Sequence, residues 1–238
     1  MKKKLVAFQC LVFILLFVRS LVLFAHSDSV PAISTSAGID LVSQYVWRSQ
    51  DNEHTPGLQP ELSVTWKEFT LGFWGAYRIV DPGDHEIDFY LEKSIGSATF
   101  SICDYWNYSD STTNNYFNYS KQITAHSFEA QVLLSGAEKL PFNLLAGYFF
   151  YGYDLSKSIY IKLQYLHSFG SFNTQTFAGF QPKGEFFAPI AAVVNLGCTI
   201  TKSTELTKCW SLPMSISCIL NPNSEHVYLV AGITLLTI

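Results

Sequence analysis

Alternation of apolar and polar residues is the most regular feature of this chain. Its clearest case is the stretch 58–78, in which a short turn at Lys67 and Glu68 separates two alternating runs. On the first run one face carries Leu58, Pro60, Leu62, Val64 and Trp66, and the other Gln59, Glu61, Ser63, Thr65 and Lys67. Period-two alternation is typical of a β-strand with one apolar and one polar face. Runs of about ten residues, tilted by about 40°, span roughly 26 Å, which suits the apolar band of an outer-membrane barrel.

Similar runs recur along the rest of the chain. They predict about twelve strands, at residues 39–48, 58–67, 69–78, 87–95, 98–108, 128–134, 142–151, 159–166, 174–180, 190–201, 210–220 and 227–235. No run of about 18 apolar residues occurs beyond the N-terminus, which excludes helical membrane spans there. The fold predicted is therefore all-β, a closed antiparallel transmembrane β-barrel in a single domain over residues 28–238.

One predicted strand departs from the pattern. In residues 98–108, Asp104 falls on the apolar face. A β-bulge near Cys103, or an early end of the membrane segment, would remove this conflict.

The first 27 residues are typical of a secretory signal peptide. Lys2, Lys3 and Lys4 precede an apolar stretch, Leu5 to Phe24, and Ala25-His26-Ser27 supplies small residues for cleavage. We expect cleavage after Ser27, and the alternative is an uncleaved anchor, because the apolar stretch is long.

Composition and charge narrow the function classes. The chain is 48% hydrophobic and only 14% charged, which is unusually apolar for a soluble enzyme. Without residues 1–27, 11 basic residues face 19 acidic ones, a net charge of −8. Such a charge repels nucleic acid, so we expect no nucleic-acid partner.

Cysteines and histidines do not form a recognisable reactive site. The expected role of Cys103, Cys198 and Cys218 is that of small apolar side chains, while a disulfide at Cys209 stays an alternative. The histidines lack metal-ligand spacing, so we predict no metal or cofactor. Because His85 and His126 lie near strand ends without a serine motif beside them, we also predict that the protein is not an enzyme.

Charged residues on the polar faces are the candidate functional residues. Those predicted to line the lumen are Asp40, Arg48, Glu61, Arg78, Asp88, Glu92, Glu129 and Lys162. Antiparallel pairing predicts Arg48 near Gln59 and Glu61, Arg78 opposite Asp88, and Asp40 facing Lys67. These charges either select the solutes that pass or neutralise one another in a closed structural network.

Residues 109–126 form the longest irregular segment and are rich in Tyr, Asn, Ser and Thr. Such a loop can be an exposed cover, can stack on sugars, or can fold inward as a constriction. Of the three we favour the exposed cover.

Several stretches resemble a known family. They are GIDLVSQYVWRS, LQPELSVTWKEFTLGFWGAY, EIDFYLEKS and SLPMSISCILNPNSEHVYLVAGITL. Together they resemble uncharacterised outer-membrane β-barrel proteins of the TorF-like porin type, over nearly the whole mature chain. The resemblance implies an outer-membrane barrel and supplies no substrate or catalytic residues. One difference is the C-terminus, Leu236-Thr237-Ile238, where outer-membrane barrels commonly end in an aromatic residue.

The leading functional hypothesis is a passive porin-like channel for small hydrophilic solutes. The alternatives are a closed barrel with a structural or surface-binding role, and a soluble exported β-sandwich whose apolar faces pack together. The expected partners are outer-membrane lipid, small hydrophilic solutes and, during biogenesis, the barrel-assembly machinery.

Overall fold

Alternating runs become strands throughout the computed structural model, which describes residues 33–51, 54–79, 84–109, 115–120, 123–207 and 210–237. The strands are β1 (Ile33–Val42), β2 (Val46–Trp47), β3 (Gln50–Asp51), β4 (Gly57–Trp66), β5 (Phe69–Arg78), β6 (Asp84–Ile95), β7 (Ala98–Ser109), β8 (His126–Leu134), β9 (Phe142–Gly152), β10 (Ile159–Phe169), β11 (Phe172–Lys183), β12 (Ala192–Thr207), β13 (Trp210–Asn221) and β14 (His226–Thr237). The predicted signal peptide and Cys209 lie outside the described residues.

The long strands close into one barrel. Each pairs antiparallel with its neighbours in sequence, and β1 pairs with both β4 and β14, which completes a twelve-stranded ring within the described residues. Short β2 and β3 pair only with each other. We call the end with the connections after β1, β5, β7, β9, β11 and β13 the loop end, and the opposite end the turn end. The predicted closed antiparallel barrel is confirmed.

Within the described ranges, no helix has the length and hydropathy needed to cross a membrane.

The first strand is the main error in the predicted boundaries. It runs over Ile33–Val42 instead of residues 39–48, and its small residues pair along β4, with Ser34 opposite Thr65 and Gly38 opposite Glu61. The apolar Trp47 fits the alternation, so the predicted strand extends through it. Trp47 is shielded from water, but by contacts inside the barrel and not by a place on its wall. The other predicted strands agree with the observed ones to within a few residues at most ends.

Of the two alternatives given for Asp104, the β-bulge is absent from the described strand. Strand β7 pairs with β6 and with β8 in continuous register from Ala98 to Trp106. Asp104 keeps its place on the outward face, where a histidine partner satisfies its carboxylate.

The wall of the barrel is apolar outside and polar inside. Large apolar side chains are exposed on the outward faces of consecutive strands, among them Leu62, Val64, Leu71, Phe89, Leu91, Phe100, Ile102, Leu144, Leu163, Ile200, Ile216 and Leu229. Buried side chains inside include Glu129, Gln181 and Asn195. This distribution is the reverse of that in a water-soluble domain, in which apolar side chains fill the interior.

Candidate functional site in the barrel lumen

A short hairpin from the loop end occupies the lumen. We define the lumen hairpin as residues 43–51, which contain β2, β3 and a turn at Arg48 and Ser49. Both turn residues have positive φ, 49° and 62°, as a two-residue type I′ turn requires. At its base, the Ser43 amide donates to the Ala231 carbonyl over 2.8 Å, and the Ala231 amide donates to the Ser43 hydroxyl over 2.9 Å.

Contacts on opposite walls place the lumen hairpin inside the barrel. Its Tyr45 ring packs 5.2 Å from Trp74 on β5, measured between ring centroids. On the far side, the Ser49 hydroxyl donates to the side-chain oxygen of Asn195 on β12 over 2.6 Å. Since these strands lie on different sides of a closed ring, only a segment within the lumen can reach both.

An ion pair fixes the tip of the lumen hairpin. The Arg48 guanidinium donates two hydrogen bonds to the Glu129 carboxylate on β8, each 2.8 Å long. Glu129 is 0% exposed and Arg48 9%. Glu129 also accepts hydrogen bonds from the Tyr105 hydroxyl over 2.8 Å and from the Gln131 amide over 2.6 Å. A fork-to-fork pair supplemented by further donors is the arrangement that a buried carboxylate needs.

Glycine makes room for this carboxylate. A Cβ atom at Gly147, on the neighbouring strand β9, would overlap the side-chain carboxyl group of Glu129. The absence of a side chain there lets Glu129 lie against the wall while its carboxylate meets Arg48.

Aromatic rings enclose the Arg48 cation. The guanidinium carbon lies 4.4 Å from the centroid of the Trp47 ring and 4.3 Å from that of Tyr160. Burial alone would lower the pKa of Arg48, but the attraction of Glu129 raises it above its ordinary value. Arg48 therefore stays charged, and cation–π contacts add to its ion pair.

The connection between β11 and β12, residues 184–191, folds inward beside the lumen hairpin. The Gln181 side chain holds it, because its amide donates to the Ala188 carbonyl over 2.7 Å and its oxygen accepts from the Phe187 amide over 2.8 Å. Phe186 stacks on Phe149, with ring centroids 4.9 Å apart. Trp47 packs edge-on against Phe186, so the loop and the hairpin form one aromatic layer.

This layer divides the lumen into two cavities. The outer cavity, toward the loop end, has a volume of about 390 Å³ and is bordered by Gln50, Glu86, Asn107 and Phe186. The inner cavity, toward the turn end, has a volume of about 420 Å³. Trp47 and Tyr105 border both cavities, which therefore meet at the lumen hairpin.

Two of the predicted lumen residues, Arg48 and Glu129, contact each other, whereas the pairs predicted between other lumen residues are not formed in the described part of the chain. The predicted place of Arg48 near Gln59 and Glu61 is wrong, because β1 ends at Val42 and sets Asp40 and Gly38 opposite these two residues. Glu61 instead accepts a hydrogen bond from the Tyr90 hydroxyl over 2.8 Å, and Glu92 accepts one from Ser101 over 3.0 Å. Lys162 borders the inner cavity.

The two remaining predicted pairs are wrong because of strand register. Asp40 lies opposite Gln59 on β4 and Thr234 on β14, since β1 begins six residues earlier than predicted, and it does not face Lys67.

Asp88 lies opposite Trp74 and not Arg78, because β6 begins at Asp84 and its register sets Glu86 opposite Ala76. Arg78 is paired in register with Gly57 on β4. Asp88 has Glu86 and Tyr45 as its charged and polar neighbours.

Several residues of the site were missed by sequence reasoning. They are Ser49, Tyr105, Tyr160, Gln181 and Asn195. Tyr160, Gln181 and Asn195 occupy lumen-facing positions of regular strands, where the pattern shows which way a side chain points but not what it contacts. That Gln181 and Asn195 are buried and hydrogen-bonded is visible only in the structure, and their positions in the sequence carry no signal of it.

Part of the long loop lies outside the barrel. We define the outer segment as residues 115–120. It packs on the outward face, where the Tyr116 ring meets Phe89 and Trp106 edge-on. Residues 115–120 are therefore not a lumen constriction, whereas Ile123, Thr124 and Ala125 of the same loop border the outer cavity.

His126 fastens the outer segment to the wall. Its Nδ1 lies 2.7 Å from the Asp104 carboxylate and its Nε2 2.6 Å from the Tyr116 carbonyl, and the residue is 0% exposed. A catalytic histidine would use its second nitrogen to activate a hydroxyl. Here a backbone carbonyl occupies that position, so the arrangement is suited to holding the segment.

Thiols in the described part of the chain are unpaired. Cys103 is buried, while Cys198 and Cys218 lie directly opposite each other on β12 and β13.

No protein-family model matches this chain, and no curated protein matches it either.

Proposed function

We propose that the protein is an outer-membrane β-barrel that acts as a passive channel for small hydrophilic solutes, with the lumen hairpin restricting passage. The observation that carries this proposal is a closed barrel that is apolar outside and polar inside, with two cavities meeting at one short hairpin. In lipid a barrel must be closed, because an open sheet edge would leave backbone groups without hydrogen bonds.

Lysine and aromatic side chains at the turn end support a membrane boundary there. The Lys67 ammonium lies 4.8 Å from the Trp66 ring, that of Lys93 4.9 Å from Phe69, and that of Lys202 5.2 Å from Phe172. Aromatic rings and long basic side chains commonly occupy the interface between the acyl chains and water. We assign the turn end to the periplasm and the loop end to the cell exterior.

Planar-bilayer conductance of the refolded mature protein tests the channel. Heat-dependent gel mobility first establishes that the detergent-refolded protein is folded. We expect small or infrequent conductance steps from the native chain. Replacing residues 44–50 by a short Gly/Ser connection should give larger and more frequent steps, because it empties the space between the two cavities.

A second variant covers the case in which this replacement does not fold. Combining Arg48→Ala with Glu129→Gln frees the tip of the hairpin without leaving one charge buried alone, and should also raise conductance. The matched control is Glu61→Gln, which changes a lumen carboxylate outside the hairpin contacts and should leave the frequency of steps as it is.

The second candidate is a closed barrel with a structural or surface-binding role. It is favoured by the ion pair and the aromatic layer across the lumen. Folded variants without the hairpin that stay silent would contradict the channel and support this candidate. Extraction of the protein from cells without detergent would contradict the membrane location itself.

A further inference from the structure

The inner cavity has a one-sided charge. Among the described residues that border it, Arg48 and Lys162 are basic and none is acidic. Its other polar side chains are amides and hydroxyls, from Ser49, Tyr105, Gln131, Gln164, Gln175, Asn195, Thr199 and Ser217. The nearest carboxylate to Arg48, that of Glu129, is already bound by Arg48, Tyr105 and Gln131.

Among the residues that the structure describes, none is a counter-ion of Lys162. It is partly buried on β10, between Leu145 of β9 and Gly179 of β11 in register. Within the described part of the chain its ammonium makes no ion pair or hydrogen bond, and the charge that acts on it is Arg48, of the same sign. An ammonium that is partly removed from water costs free energy unless a negative group or hydrogen-bond acceptors compensate it.

Two amide side chains border the same cavity as this lysine. Gln164 projects from the same face of β10 two residues further on, and Gln175 lies on the adjacent strand β11 opposite Leu166. Neither side chain has a hydrogen-bond partner among the described residues. Gln131 and Asn195, in contrast, are engaged with Glu129 and with Tyr160. One ammonium and two uncommitted amides therefore share one cavity wall.

We propose that the inner cavity is a binding site for a small oxyanion, a carboxylate or phosphate group, held by Lys162 with Gln164 and Gln175. A lysine provides a strong point charge for such a group, and amide N–H donors orient its oxygens. A volume of about 420 Å³ is sufficient for a small organic acid.

The outer cavity differs from the inner one in the charge of its border. It has a similar volume, but its border contains Glu86 and no basic side chain among the described residues. An anion is therefore repelled in the outer cavity and attracted in the inner one. The conclusion that anions are the solutes carried rests on the proposed channel. The binding of an anion in the inner cavity can be measured without any conductance.

Lysine-specific NMR tests the binding site in the full mature chain. Reductive ¹³C-dimethylation keeps the lysine charge and gives one signal for each lysine in an uncharged maltoside detergent. Lys162→Arg identifies the Lys162 signal by its loss, because arginine is not methylated. The probes are inorganic phosphate and acetate, each compared with chloride at equal ionic strength. Lys139, exposed in a turn on the outside of the lumen, is the internal control.

We expect a saturable shift of the Lys162 signal with phosphate, with acetate, or with both, while the Lys139 signal follows ionic strength only. A response to one probe alone identifies phosphate or carboxylate as the preferred group. No saturable shift of Lys162 beyond that in chloride, in folded protein, would overturn the proposal. The variant Gln164→Leu with Gln175→Leu should weaken binding about tenfold, if two amide hydrogen bonds are lost.

Ion selectivity separates the site from the channel. In the variant with residues 44–50 replaced and Glu129→Gln added, so that no carboxylate is left without Arg48, the reversal potential in a salt gradient should indicate anion preference, and Lys162→Glu should reverse it. A silent barrel that still shows saturable binding contradicts the channel and supports the site. A conducting barrel without binding contradicts the site alone.

Discussion

Two segments from the loop end fold in opposite directions. The lumen hairpin turns inward and meets strands on several sides of the barrel, whereas the outer segment folds back over the outward faces of β6, β7 and β8. The lumen hairpin is held by its Arg48, which pairs with Glu129 of β8. The outer segment is held by its Tyr116 carbonyl, which contacts His126 of β8, a residue that is itself bonded to Asp104 of β7. Each segment therefore lies on the side of the wall toward which its partner on β8 points, Glu129 inside and His126 outside.

The two attachments differ in the number of other contacts that depend on them. Arg48 and Glu129 lie in a network with Tyr105, Gln131 and enclosing aromatic rings, so the loss of one partner affects many others. His126 joins one carboxylate and one carbonyl, and most residues of the outer segment are exposed. We therefore expect changes in the lumen to reduce stability more than equivalent changes outside.

The largest effect is expected from Glu129→Gln. It leaves the Arg48 cation buried without a counter-charge, which should lower the free energy of unfolding by about 3–5 kcal/mol. Guanidinium unfolding in detergent, followed by tryptophan fluorescence, measures this change. Adding Arg48→Met to the same chain should restore much of the loss, because no charge is then buried alone.

Glu61→Gln is the matched control for that change. Its carboxylate accepts one hydrogen bond from Tyr90 in an exposed part of the lumen, so we expect a loss below about 1.5 kcal/mol. Equal losses of unfolding free energy from Glu61→Gln and Glu129→Gln would show that the buried ion pair stabilises the protein no more than one exposed hydrogen bond does.

Gly147→Ala should come next. The added Cβ overlaps the Glu129 carboxyl group and pushes it from the wall, with a destabilisation of about 1–3 kcal/mol by overpacking. The same unfolding experiment measures it. At Gly232 the atom nearest to an added Cβ is the hydroxyl of Ser215, which can rotate, so Gly232→Ala should cost less. The reverse order would mean that Glu129 can move freely.

His126→Leu tests the outer attachment. It removes the hydrogen bonds to Asp104 and to Tyr116, and we expect a loss of about 1–2 kcal/mol. Hydrogen exchange should rise at residues 115–120 and stay unchanged at residues 46–51, because the two segments lie on opposite sides of the wall. Faster exchange in both segments would contradict their independence.

The sequence predicted the wall much better than its contents. A period of two directly reports which face of a strand is apolar, so the alternation in β4 and β5 was sufficient to place them. Trp47 and Arg48 could not be placed in this way, because their environment comes from Glu129, which lies 81 positions further along the chain. A two-residue turn with positive φ at Arg48 and Ser49, neither of them glycine or asparagine, gives no local signal for a hairpin.

Register was the second limit. Asp40 and Arg78 were expected on inward faces, but their partners depended on where β1 and β6 begin. A shift by an even number of residues along a strand preserves the apolar face and changes every cross-strand pair. The charges could therefore be assigned to strands from the pattern, while their pairing required the hydrogen-bonded ladder.

Asn118→Ala should have the smallest effect. Its side-chain oxygen accepts from the Ser120 amide over 3.2 Å and its amide donates to the Ile123 carbonyl over 3.4 Å, both in exposed positions. Because water can replace these hydrogen bonds, the change in unfolding free energy should stay within about 0.5 kcal/mol. Only local exchange at residues 118–120 should increase. A loss as large as that from His126→Leu would mean that the outer segment is held by its own turn, and His126 would then be a secondary contact instead of the attachment.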